Sequence, residues 1–214
     1  NPAAFVTLTK RLADPSQPVR LQLALSIGAF RDAKVPGLLA QMLVRDEHTL
    51  FRTAAAAGLA GSELEFLRVL LSNKRDSPLD SEKDIHKLAT SASEEHLRRL
   101  ATLLAQCVLE EMQVARIEGL FDLFAKTSDD RAWRRDALLE AFTNVRYNRP
   151  FALSQEPTML TSMLRSPERR VSETAESALK QFTWPGAKMA SQLTANATPL
   201  TPEQERRIIA GQEL

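Results

Sequence analysis

The 214-residue chain has one cysteine, seven glycines and a net charge of only +1. The single thiol, Cys107, excludes an internal disulfide and leaves the redox compartment open. With so few glycines and few β-branched runs, sheet is disfavoured. No glycine-rich loop cradles a phosphate. Near-neutral charge gives no global field for nucleic acid or an anionic membrane. No apolar run approaches the roughly 20 residues of a membrane span. The opening NPAAFVTLTK lacks an initiator Met and the charged and apolar regions of a signal peptide, so the chain is expected to be a piece of a longer protein. His48, His86 and His96 never stand at the i, i+4 spacing that puts two metal ligands on one helix face, and no Ser/His/Asp arrangement supplies a nucleophile. No catalytic, cofactor-binding or metal-binding residue is assigned.

What is abundant is Ala, Leu, Arg and Glu, with 43% apolar and 26% charged residues, the composition of a helical globular chain. The organising stretch is DPSQPVRLQLALSIGAF, residues 14–30. Asp14 and Pro15 suit a cap and a first turn, and Val19, Leu23, Ile27 and Phe30 form an apolar stripe expected to face inward. Asp46, Phe51, Arg52, Ala55, Ala56 and Leu59 repeat the pattern 32 residues on. A unit of that length holds two short helices and must bury its apolar face against a neighbour. The expected fold is therefore all-α, an α-solenoid of stacked antiparallel helix pairs.

Along the chain, a first helix is expected over 3–12, with Phe5, Leu8 and Leu12 inward. VPGLLAQML opens the next pair with Pro36 in its first turn, and Gly58 and Gly61 punctuate the end. ELEFLRVLLS puts Leu64, Leu67 and Leu71 on one stripe, after which residues 73–92 are read as a solvated, irregular loop. Ser93 caps a helix with an acidic first turn and a buried face of Leu97, Leu100, Leu104 and Val108. Ile117, Leu120, Phe121 and Phe124 mark another helix. Ser128 to Asp130 cap its partner, which carries Trp133, Ala137, Leu138 and Ala141. A looser link spans 147–155. Pro157, Leu160 and Leu164 then echo Pro36, Leu39 and Leu43, and Val171 and Ala175 follow in a last B-helix. The repeats are expected over 1–193, clearest in 1–72 and divergent in 93–186, with 194–214 a linker and short helix leading to a following domain.

These residues resemble the HEAT-repeat family. The likeness rests on D-P-x-x-x-V-R (Asp14, Pro15, Val19, Arg20), its imperfect copy from Asp46 to Arg52, and the V-P-x-L-L helix opening. It implies that the turn Asp caps the B-helix and that Arg20 and Arg52 sit near the turn of an adjacent repeat. A narrower resemblance, carried by residues 14–30, QFTWPGAK and ERRIIAGQEL in that order, is to the HEAT segment of large secreted bacterial proteins. Those proteins join a propeller of the membrane-bound-dehydrogenase type to a C-terminal cytochrome c. That likeness implies a periplasmic or secreted protein, with haem c in a following domain and no cofactor in this segment, which has no Cys-x-x-Cys-His of its own. The parent would be an oxidoreductase, this segment a non-catalytic scaffold or spacer whose partners are proteins or neighbouring domains.

Two other functions compete. A nucleic-acid-binding solenoid would use the basic and aromatic group Arg131, Trp133, Arg134, Arg135, Arg146, Tyr147 and Arg149, although Asp129, Asp130, Asp136 and Glu140 dilute its charge and Trp133 matches the core positions of Val19 and Phe51. An intracellular regulator would grip a peptide in a concave face. The histidines are expected at the surface or at caps, Cys107 as an inert thiol, and the pairs Glu94–Glu95, Glu110–Glu111 and Asp129–Asp130 as solubilising or capping acids.

Overall fold

A computed structural model describes residues 2–30, 32–71, 80–126 and 132–187. Its helices are α1 (Pro2–Thr9), α2 (Gln17–Ile27), α3 (Val35–Arg45), α4 (Thr49–Gly58), α5 (Glu63–Leu71), α6 (Asp80–Ser91), α7 (Glu94–Glu110), α8 (Val114–Lys126), α9 (Ala132–Asn144), α10 (Thr158–Met163) and α11 (Arg169–Leu179). Two-residue strands β1 (Phe151–Ala152) and β2 (Phe182–Thr183) pair in parallel, Phe151 opposite Phe182. The chain is all-α but for that pair.

Local chemistry sets the helix starts. Before α2, the Asp14 carboxylate accepts from Ser16 N at 2.9 Å and so shapes the turn, while Ser16 occupies the cap and Pro18 the first turn. Asp46 does not cap α4. His48 does, its Nδ1 accepting from Leu50 N at 3.2 Å. Ser93 caps α7 as expected, accepting from His96 N at 3.3 Å.

Helices α2, α4, α7, α9 and α11 pack one on the next along one side of the molecule. On the other side α3 lies along α6, α5 touches α6, α7 and α8, and α8 meets α10. One hydrophobic cluster runs from Phe5 to Phe182 through Ile27, Leu39, Leu67, Leu88, Leu100, Leu104, Ile117 and Leu138, all fully buried. Burying each such side chain contributes roughly 1.5–3 kcal/mol. Near the C-terminal ends of α2 and α4 the backbones nearly touch. A Cβ on Gly28 would stand 2.2 Å from the Gly58 Cα, so only hydrogen fits there.

Several expectations need correcting. Val19 is 42% exposed and Arg20, the next residue, turns inward instead, at 7%. An apolar side chain gains less at that register than a guanidinium that finds a carboxylate and two carbonyls. Helix α1 ends at Thr9, with Leu12 half-buried beyond it. Helix α6 forms inside the segment read as loop, because Ile85, Leu88 and Ala89, spaced i, i+3, i+4, seat on α3. Gln41 Nε2 donates to Asp84 Oδ2 at 2.8 Å across that contact. Helix α10 is short, so Leu164 falls outside it and is 44% exposed. The link over 147–155 contains β1. Residues 128–131 and 194–214, on which a cap, an arginine and a closing helix were expected, lie outside the described residues.

Candidate functional site

The groups that most resemble a built site lie where successive helix pairs meet. Arg20, from α2, reaches the turn between α3 and α4. Its Nε and one Nη donate to the two carboxylate oxygens of Asp46 at 2.8 and 2.6 Å. The other Nη donates to the carbonyls of Asp14 and Pro15 at 2.7 and 3.1 Å. All five guanidinium protons thus face acceptors, and Asp46 holds the guanidinium above its ordinary pKa despite burial. Asp14 and Asp46 are the same position of the 32-residue pattern, so Arg20 links one turn to the next.

Arg52 occupies the same position in the next pair and behaves differently. One Nη meets Nδ1 of His96, on α7, at 3.0 Å and the Glu47 carbonyl at 3.3 Å; the other donates to Thr49 Oγ1 at 2.9 Å. An arginine can only donate, so Nδ1 accepts and the imidazole proton sits on Nε2. His96 is 2% exposed, against the expectation of a surface or capping role. Its Nε2 finds no hydrogen-bond partner among the described residues. Burial first, and then Arg52, pull its pKa below the ordinary 6.5. Beside it, the Glu47 carboxylate accepts from both the N–H and the hydroxyl of Ser93, at 2.8 and 2.6 Å, which holds Glu47 below its ordinary value. Sequence reasoning missed this clasp; the signal available was only that Ser93 caps a helix packed on the next pair.

The basic and aromatic group does not assemble. Trp133 is buried, as a core position. Arg134, expected on an exposed helix face, is 2% exposed, its guanidinium carbon 5.7 Å from the Trp133 ring centroid. Tyr147 is structural: its hydroxyl donates to the Leu109 carbonyl at 2.9 Å, its ring lies against Phe151 and Phe182, and burial pushes its pKa up to about 12. Gln181 clamps the same region, donating to the Phe142 carbonyl at 2.9 Å. Only Arg135, Arg146 and Arg149 stay accessible, and Arg135 pairs with Glu168 at 3.1 Å. Arg135 lies on the wall of a cleft of about 390 Å³ between α9 and α11, where Arg170 faces Asp136, Glu140 and Glu168. That lining is mixed in sign and carries no concentrated charge.

The remaining candidates are structural too. Cys107 is half-buried, and burial with Glu63, Glu110 and Glu111 pushes its thiol up, away from the thiolate a nucleophile needs. Glu63 is buried at the start of α5 and held by Arg116 of α8 at 2.7 Å; burial pushes its carboxyl up. Glu111 also meets Arg116, at 2.5 Å. Glu95 bonds Arg98 and Arg99 along α7, which draw it down to about 2, and Arg98 also pairs with Glu140 of α9. Among the described residues no group of histidines, cysteines and carboxylates could hold a metal ion, and no helix is long and apolar enough to cross a membrane.

Compared with known proteins, the chain matches no family model, no curated protein and no solved structure.

Proposed function

We propose that the helix pairs form a HEAT-like α-solenoid and that this segment works as a non-catalytic scaffold, holding neighbouring domains or a partner protein at fixed separation. The observation that carries the reading is the Arg20–Asp46 contact, a buried ion pair between equivalent turns 32 residues apart. Stacked units sharing only neighbour contacts make a stiff, elongated element suited to spacing other modules. The chemistry of the polar groups agrees: arginines, carboxylates and the buried histidine are spent on holding one helix against the next. Attachment to a cytochrome c module in a periplasmic protein remains part of the same proposal, resting on the resemblance of residues 14–30, 181–188 and 205–214.

Two measurements test it. A compact domain of 214 residues has a radius of gyration of about 17 Å; small-angle scattering should exceed that, and a value at or below it overturns the stack. For the scaffold role, the 214-residue chain is used as bait for flanking domains of the longer protein, expressed separately. Retention of a flanking domain supports the role. Failure to retain any, with salt-sensitive capture of duplex DNA that weakens in Arg135→Ala, would transfer the function to nucleic acid.

A further inference from the structure

We propose that the contact between His96 and Arg52 is an acid-responsive joint between α4 and α7, closed while the imidazole is neutral and loosened when it gains a proton. The geometry makes the two states unequal. In the neutral ring Nδ1 accepts from Arg52 at 3.0 Å. A proton entering at Nδ1 abolishes that hydrogen bond and sets two cations face to face in a site from which water is excluded. The new charge would have to be met by the groups around the ring. From α4 that group is Arg52, which repels it. From the turn between α3 and α4 it is Glu47, whose carboxylate is engaged by Ser93. On α7 itself are Glu95 and Arg99, and both arginines of α7 already draw on Glu95. The one acid able to compensate is therefore Glu47, and recruiting it breaks the clasp that tethers the start of α7.

Placement gives the joint leverage. The contact of α4 with α7 lies on the side of the molecule where helices follow one another singly, while α3 and α6 join the same two parts on the other side. Loosening one side and keeping the other lets the segment before residue 60 tilt about the seam of α3 and α6. The sign follows from the lowered pKa of His96: the unfolded chain takes up its proton near 6.5 and the folded one only at lower pH. The joint is fully closed above about 6.5 and weakens as pH falls toward the folded midpoint, about tenfold in its closing equilibrium for each unit of separation between the two midpoints.

The test uses the unmodified 214-residue chain. Proton NMR of the three histidines should give His96 a midpoint below 6.5, with His48 and His86 as internal references. Hydrogen exchange, corrected for intrinsic rate, should lose protection at 46–52 and 93–97 between pH 7.5 and 5.0 while α9 is unchanged. In His96→Gln, whose amide oxygen can still accept from Arg52, that pH dependence should vanish; in Arg52→Gln the His96 midpoint should rise. A midpoint at or above 6.5, or a loss of protection spread evenly over the helices, overturns the proposal, and neither reading depends on a variant that folds.

Discussion

Breaking the Arg20–Asp46 pair from one side measures how much the link between equivalent turns contributes. Both side chains are only 8% exposed, and the carboxylate engages the guanidinium through both oxygens. Arg20→Met keeps most of the side-chain volume and leaves the Asp46 carboxylate buried without its cation, a change that costs about 3–5 kcal/mol. Asp46→Asn should cost less, because Arg20 retains the carbonyls of Asp14 and Pro15. The double variant Arg20→Met, Asp46→Leu removes both charges, and exchange of a buried pair for apolar groups is close to neutral. At roughly 2–4 °C per kcal/mol for a chain of this size, Arg20→Met alone lowers Tm by roughly 6–20 °C. The double variant recovers most of that loss. Circular dichroism melts and urea titrations at pH 7 give the cycle. If each single change cost under about 1 kcal/mol and the two simply added, the pair would be behaving as a solvent-exposed contact, and the reasoning from burial would be wrong.

Two further changes follow from the backbone. Gly28→Ala forces α2 from α4, since its Cβ would lie 2.2 Å from Gly58 Cα, and should destabilise by about 1–3 kcal/mol in a thermal melt; an unchanged Tm would mean the helices do not approach so closely. Met112 sits in the turn between α7 and α8 at φ 53° with its side chain 54% exposed, so Met112→Gly relieves a left-handed strain without removing packing. It should be neutral to about 1 kcal/mol stabilising, and a clear loss of stability would show that the side chain has a contact to lose.

Where apolar residues recur at helical spacing, the sequence already shows which faces are inward: Leu64, Leu67 and Leu71, or Ile117, Leu120, Phe121 and Phe124, are buried as their spacing requires. The exceptions arise where a residue's fate is decided by a distant one. Val19 and Arg20 are neighbours at the start of one helix, and periodicity favours the valine; a carboxylate 26 residues away draws in the arginine instead. Helix α6 has too few apolar residues to stand out locally, and forms because α3 offers a complementary face. His96 looks like an ordinary first-turn residue until Arg52, 44 positions earlier, is brought to its ring. The same holds for β1, whose two residues pair only because Gln181 and Thr183 present carbonyls to Phe151 N and Leu153 N, each at 2.8 Å. Long-range polar pairing leaves no periodic mark. That is why the helical class was legible and the joints between helices were not.

Chain order and spatial order part company once, and the consequence is for how the molecule assembles. Helix α5 is synthesised before α6, yet it is α6 that lies along α3, with α5 placed beyond it toward α8. Val35, Leu39, Met42 and Leu43 of α3 therefore have no finished surface to meet when α5 leaves the ribosome. Growth by addition of one pair after another stops there until residues 80–91 arrive and wedge between two elements already made. Residues 35–110 should consequently gain their structure in one cooperative step, dividing the chain into an early block, a late block and an obligatory knot of mutual dependence between them.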